Sequence, residues 1–385
     1  MKKVIAIVLC LILLTACGTI EKPEIIDVAN HVTKKPSHLL LFKKAAIGNV
    51  LTICRGFDDF FYLVTLEGVF EKHREITKTK EPDEVGITWD EESYGRIVNI
   101  VVMPEGITVF ANIEGNSKGR IYHMVDLNSQ PELVYESKGK NPSFFVNEFG
   151  IKSYYNGLGS YILAGVYGRG PEARDLLLSK DGGKTFEVIK KTRNNLEVKN
   201  SHWHDVAFDI YHGFLWASEG DGTTNSGVHF SDDLGETWRT LTNLSQPTAI
   251  LPFPDRVVFG RDDGKAGLSY FEKPLLVEDY ESIKDNSYNI LREFMPSIDG
   301  YSYYGRTPIV KGNEAYLTFT LYPENKTALI IATGDFGKSW HFVFMGHKSE
   351  GSDRKRITML VDIDDNYVYA RSHSTVYFAE KPEWL

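Results

Sequence analysis

Short segments in which apolar and polar side chains alternate recur along the chain at a nearly even interval. They begin near Gly68-Val69-Phe70, Arg120-Ile121-Tyr122, Leu176-Leu177-Leu178, Gly227-Val228-His229, Leu268-Ser269-Tyr270, Leu329-Ile330-Ile331 and Thr375-Val376-Tyr377. A period of two predicts β-strands with one buried face. Recurrence at roughly 51 residues predicts a repeated supersecondary unit, each copy burying its apolar face against the next. The start of the chain is patterned differently. Met1-Lys2-Lys3 is followed by an unbroken apolar run, Val4 to Leu14, and then by a polar stretch from Gly18 to about Pro36.

Three turn-like segments sit in phase with the strands. They are Ser179-Lys180-Asp181-Gly182-Gly183-Lys184-Thr185-Phe186, Ser231-Asp232-Asp233-Leu234-Gly235-Glu236-Thr237-Trp238 and Thr333-Gly334-Asp335-Phe336-Gly337-Lys338-Ser339-Trp340. Asp181 and Asp233 lie 52 positions apart, and Asp233 and Asp335 lie 102 apart, close to two periods. An aspartate can accept the turn's backbone N–H groups, the glycine permits a positive φ, and the aromatic residue anchors the following strand.

The pattern resembles the Asp-box (BNR) repeat of sialidases, sortilin-type receptors and related β-propellers. The resemblance implies an all-β chain forming a single β-propeller, with Asp181, Asp233 and Asp335 in structural turns on the face away from any binding site. The period predicts seven four-stranded blades, with six, as in true sialidases, the alternative. The chain ends just after a third strand. The missing outer strand is therefore expected from Leu39-Leu40-Leu41-Phe42, closing the ring and removing its open edges.

The apolar run is too short to span a bilayer as a helix and fits the core of a secretory signal. It ends in Leu14-Thr15-Ala16-Cys17, which resembles the lipobox of bacterial lipoproteins. That resemblance implies cleavage before Cys17 and lipidation of it. The expected layout is a signal over 1–16, a lipidated tether over 17–36 and a propeller over 37–385. The protein is then expected in the bacterial cell envelope, held by lipid on the extracytoplasmic side of a membrane.

Composition narrows the partners. The chain is 42% hydrophobic and 25% charged, an ordinary globular balance. Its formal charge of −9 gives no basic excess for nucleic acid, and none is expected as a partner. Cys10 falls within the signal, which leaves Cys54 without a disulfide partner and best suited to act as a small buried hydrophobe.

Candidate chemistry concentrates in Ser201-His202-Trp203-His204-Asp205 and Glu219-Gly220-Asp221-Gly222. The repeat places His202, His204 and Asp205 where the chain enters an inner strand, and Glu219 and Asp221 where it leaves the second. The two groups therefore meet on one rim. Imidazoles and carboxylates there suit three readings: general acid–base or ligand contact, a divalent metal, or a hydrogen-bonded corner joining two loops. All three stay open, the five residues standing as candidate catalytic or ligand contacts, with no metal ligand assigned and no cofactor. Arg169, Arg261 and Arg371 superpose at one repeat position, and Arg306 enters another inner strand. Such arginines suit carboxylate or phosphate, because the guanidinium fork pairs with these anions bidentately. Trp203, Tyr303 and Tyr304 are candidates for stacking against a sugar. Glu278 to Phe294 is expected to form a short helix over the same rim.

Two functions from different classes fit. One is an anchored propeller recognising a glycan or other anionic ligand. The other is a sialidase-like glycoside hydrolase using Glu219 and Asp221, although the arginine-isoleucine-proline motif of sialidases is absent. A scaffold that docks an envelope protein is the third.

Overall fold

The structure is a computed structural model. It describes residues 40–113, 117–139, 141–146, 150–193, 200–221, 227–241, 247–261, 268–273, 289–291, 302–322, 326–345 and 359–384. These form seven four-stranded antiparallel sheets, the blades of a β-propeller. The first six run in sequence order from inner to outer strand, interrupted only in the third blade by a side ribbon of Ser143–Phe144 against Tyr167–Gly168. The signal, Cys17 and the tether lie outside the described residues.

All seven alternating segments are third strands: Val69–His73, Gly119–Met124, Asp175–Ser179, Gly227–Ser231, Leu268–Glu272, Lys326–Thr333 and Thr375–Glu380. Their apolar residues build seven core clusters, each shared between two consecutive blades. In one, for example, Leu163, Leu176 and Leu178 of the third blade meet Trp203, Val206 and Leu215 of the fourth. The cluster of Ile53, Phe61 and Leu63 with Tyr369 and Val376 joins first blade to last and completes the ring.

The closing strand departs from expectation. Lys43–Lys44, rather than Leu39 to Phe42, pairs with Thr375–Glu380. Leu40 is buried, and its N–H donates to Val343 O of the sixth blade. Phe42 meets Phe344 edge-on. The apolar residues thus wedge between the last two blades, and the ladder bonds fall to the polar pair that follows. The expected helix over Glu278 to Phe294 is not borne out at its end, where Asn289–Leu291 is the outer strand of the fifth blade. Residues 278–288 and 292–294 of that segment lie outside the described residues.

The three repeated aspartate turns share one hydrogen-bond pattern. In the fourth blade, Ser231 Oγ donates to Asp233 Oδ1 (2.7 Å), Gly235 N to Ser231 Oγ (2.8 Å), and Thr237 N to Asp233 Oδ1 (2.9 Å). The equivalent bonds recur at Ser179, Asp181, Gly183 and Thr185, and at Thr333, Asp335, Gly337 and Ser339. Each turn also latches onto the preceding blade. Phe186 packs on Phe110, Trp238 Nε1 donates to Ile189 O, and Trp340 shares a core with Phe253. These turns join third and fourth strands. The entries to inner strands and the exits from second strands therefore lie on the opposite face.

A cavity of about 320 Å³ occupies the centre, lined by the inner strands of the first, second, third, sixth and seventh blades. Lys152 Nζ from the third blade donates to Pro308 O of the sixth (3.0 Å). Arg55 lies 3.4 Å from Asp362, linking first and last blades beside the same cavity. Cys54 is partly buried, and burial pushes its thiol pKa well up, as befits a packing residue.

Candidate functional site

The inner strand of the fourth blade, His202–Asp209, carries a β-bulge. Trp203 pairs with Glu219 and Val206 with Ala217, so His204 and Asp205 together stand opposite Ser218. Such an insertion re-aims side chains at a strand end. It sends His204 and Asp205 into different neighbourhoods.

His202 and His204 are both buried. His202 Nδ1 lies 3.0 Å from Gly168 O of the third blade, and His204 Nδ1 lies 3.2 Å from Pro247 O of the fifth. A carbonyl oxygen only accepts, so each Nδ1 carries the hydrogen and each Nε2 presents a lone pair. The two Nε2 atoms are 3.2 Å apart. Asp221 follows the strand Phe214–Gly220 with φ of 71°, which turns its carboxylate back over the rings. One oxygen lies 3.7 Å from His202 Nε2 and the other 3.7 Å from His204 Nε2. The Asp221 side chain is 45% exposed and forms the mouth of the cluster.

Two neighbours shape this pocket. The Tyr167 ring lies against His202, with centroids 3.7 Å apart. Gly220 leaves room for His204, since a Cβ there would stand 2.0 Å from His204 Cε1. Burial, with His204 beside it, lowers the His202 pKa to about 3, although Asp221 and the Gly168 carbonyl act the other way. Burial works to raise the Asp221 pKa. The adjacent His204 and His202 rings and the charge of Arg169 outweigh it, and the carboxyl ends below its ordinary value.

Glu219 belongs to a different environment. Its carboxylate is fully buried and accepts from Arg193 N (2.9 Å), Arg193 Nε (3.1 Å), His229 Nε2 (3.0 Å) and Ser201 Oγ. Burial alone would raise its pKa, but the donors from His229, Ser201 and Arg193 overcome it and bring the value to about 2. A carboxylate held ionised in this way is a knot between strands, unsuited to the acid role expected of it. Asp205 is equally structural. Its Oδ2 accepts from Ile250 N of the fifth blade (2.8 Å), and burial raises its pKa despite the charge of Lys152. Trp203 is fully buried, with Nε1 donating to Arg174 O (3.1 Å), and presents no face to a sugar.

The arginines separate as well. Arg261 ends the second strand Arg256–Arg261, and Arg371 lies one residue before the end of Tyr367–Ser372. Both are buried, and Arg371 Nη1 donates to Leu51 O of the first blade. Arg169 does not share that position. It lies beyond the third blade's second strand, after Tyr167–Gly168, because the side ribbon extends the chain there. It is exposed, while Arg306 is half-buried on its inner strand. Tyr303 and Tyr304 lie on the inner strand Ser302–Lys311, their side chains outside the described residues.

The sequence reading missed His229 and Arg193, which donate hydrogen bonds to Glu219. The available signal was register: His229 lies on the third strand, diagonal to Glu219, and pairs with Ala217.

The arrangement can therefore bind an electrophile or cation at the two Nε2 atoms and an anion beside Arg169. No family model matches the sequence, and no curated protein matches it. Solved structures are similar in fold. The GH74 xyloglucanase from Xanthomonas campestris superposes with a TM-score of 0.58 at 11% identity, covering 89% of this chain and 54% of that one. This chain thus spans about half of the xyloglucanase. YCF48 from Cyanidioschyzon merolae gives 0.52 at 11% identity, over 89% of this chain and 99% of that one. The Cps50 (Swd1) propeller domain from Myceliophteria thermophila gives 0.50 at 8% identity, over 90% and 99%. At these identities the likeness establishes the β-propeller and nothing about activity.

Proposed function

We propose that this protein is a lipid-anchored cell-envelope propeller of the Asp-box type. On this reading it recognises an anionic ligand, such as a glycan carboxylate or a phosphate, at the rim where the third, fourth and fifth blades meet. The observation that carries it is the contrast within the expected catalytic pair. Asp221 opens to solvent beside the exposed Arg169, whereas Glu219 is sealed inside the fourth blade with all its donors in place. Most glycosidases use two carboxyl groups facing the scissile bond, one of them able to give a proton, and sialidases replace the nucleophilic one with a tyrosine. A recognition site needs only accessible, complementary groups. The three repeated turns support the Asp-box reading, and Leu14-Thr15-Ala16-Cys17 supports the anchor.

The test is a screen of the full chain in detergent against sialylated, uronate-bearing and phosphorylated glycans, with released sugar assayed in parallel wells. Binding without release, weakened by Arg169→Ala, is expected. Release of sugar would establish a hydrolase instead. Silence on every anionic glycan would overturn glycan recognition and leave the docking scaffold.

A further inference from the structure

We propose that His202, His204 and Asp221 form a binding site for a first-row divalent cation of the zinc type. This deepens the rim reading above and rests on it only for what the cation would present. The site itself stands on donor geometry. Both Nδ1 atoms are committed to carbonyl oxygens, Gly168 O and Pro247 O, so both Nε2 lone pairs converge on one point. Two lone pairs facing each other at 3.2 Å repel unless a positive centre lies between them.

The spacing suits such a centre. Ligand bonds of about 2.0–2.2 Å in tetrahedral array put donor atoms roughly 3.3–3.5 Å apart. The two Nε2 atoms are 3.2 Å apart and each lies 3.7 Å from a different oxygen of Asp221, and one donor atom from each residue falls within 4.8 Å of the others. The backbone carbonyls on Nδ1 are the outer partners that fix the tautomer and aim of metal-bound histidines. They come from the third and fifth blades, so the rings are held from both sides before any cation arrives. Two imidazoles and one carboxylate favour zinc and its neighbours over magnesium or calcium, which prefer all-oxygen shells. Three protein donors leave a fourth position open on the exposed side of Asp221, next to Arg169. An anionic group would complete the shell there.

The experiment is isothermal titration of the untagged full chain in detergent with Zn²⁺, with Mg²⁺ and Ca²⁺ in parallel. Zinc X-ray absorption on the loaded protein identifies the donors. One Zn²⁺ per chain is expected, with imidazole nitrogen in the first shell and no comparable uptake of Mg²⁺ or Ca²⁺. Asp221→Asn, at the exposed mouth, should weaken binding by about 10- to 100-fold or more, since even outer-shell partners contribute that much. His202→Ala with His204→Ala should abolish it. If that double variant does not fold, Asp221→Asn and the absorption spectrum decide alone. Uptake unchanged in Asp221→Asn, a shell without imidazole, or no uptake of Zn²⁺ would each overturn the proposal. Metal uptake is read without any organic ligand. A protein that takes Zn²⁺ but binds no anionic glycan would therefore retain this site and lose the glycan reading.

Discussion

His229 Nε2 stands 3.0 Å from Glu219 Oε2, with both side chains closed off from solvent. Thr240 Oγ1 lies 2.8 Å from His229 Nδ1 and can donate to it, which leaves the Nε2 hydrogen for the carboxylate. The pair joins the second and third strands of the fourth blade directly beneath the cluster at its rim.

Glu219→Gln should destabilise the protein by about 3 kcal/mol at neutral pH, the equivalent of lowering a carboxyl pKa from 4.5 to about 2. Because the folded pKa is depressed, this stabilisation is present above the ordinary glutamate value and is lost as pH falls toward 2. Urea midpoints of wild type and variant at pH 7, 5 and 3 should therefore converge as the pH falls. A gap that persists at pH 3 would point to packing rather than charge.

Gly220→Ala should displace the His204 ring, because the new methyl would occupy the place of Cε1. Loss of Zn²⁺ binding is expected, with destabilisation of about 1–3 kcal/mol from overpacking. Gly48→Ala is the control, since a Cβ there meets nothing within 4 Å. Titration of both variants alongside thermal melts separates the local effect from a general one.

Leu234 holds φ of 56° in the aspartate turn of the fourth blade, and Phe336 holds 61° in that of the sixth. The left-handed region costs a non-glycine residue roughly 1–2 kcal/mol. In the third blade the same place is taken by Gly182, at φ of 71°. Leu234 is 39% exposed, so Leu234→Gly gives up little packing and should stabilise by about 1 kcal/mol. Asp233→Ala should cost about 1–3 kcal/mol through the charged hydrogen bonds it removes. Denaturant midpoints check both, and the two changes should have opposite signs.

Leu40 and Leu41 make an adjacent pair with opposite fates, 2% and 76% exposed. Leu40→Ala should cost about 2–4 kcal/mol, as a buried leucine does, and Leu41→Ala almost nothing. A comparison of melting temperatures tests whether the N-terminal segment seals the ring as described.

The fold was legible because strand alternation and turn chemistry repeat together. Gly227 to Phe230 and Thr375 to Phe378 carry the same signal in blades with and without the repeated aspartate turn. The closing strand was misplaced because an exposed outer strand needs no apolar residues, and Lys43–Lys44 has none. At the rim, the structure brings His202, His204 and Asp221, neighbours in the sequence reading, close together. Sequence proximity grouped Asp205 and Glu219 with them wrongly. Adjacent residues on a strand face opposite ways, and the bulge after Trp203 changes which way each one faces. No count along the chain reveals that bulge. Arg169 was aligned with Arg261 and Arg371 because the side ribbon Ser143–Phe144 with Tyr167–Gly168 has no counterpart among the described residues of their blades.

The Lys43 side chain reaches Glu380, 337 positions further along the chain, within the strand pairing that closes the ring. Every other blade interface joins neighbours in sequence and can form as the chain emerges. The seventh cannot, because it pairs Lys43–Lys44 with Thr375–Glu380, segments far apart in the chain. Bringing such distant segments together carries the largest loop-closure entropy in the molecule. A chain emerging from its N-terminus therefore builds an open crescent of blades first. Its two ends stay exposed for pairing until Thr375–Glu380 has emerged, and the ring exists only from that moment.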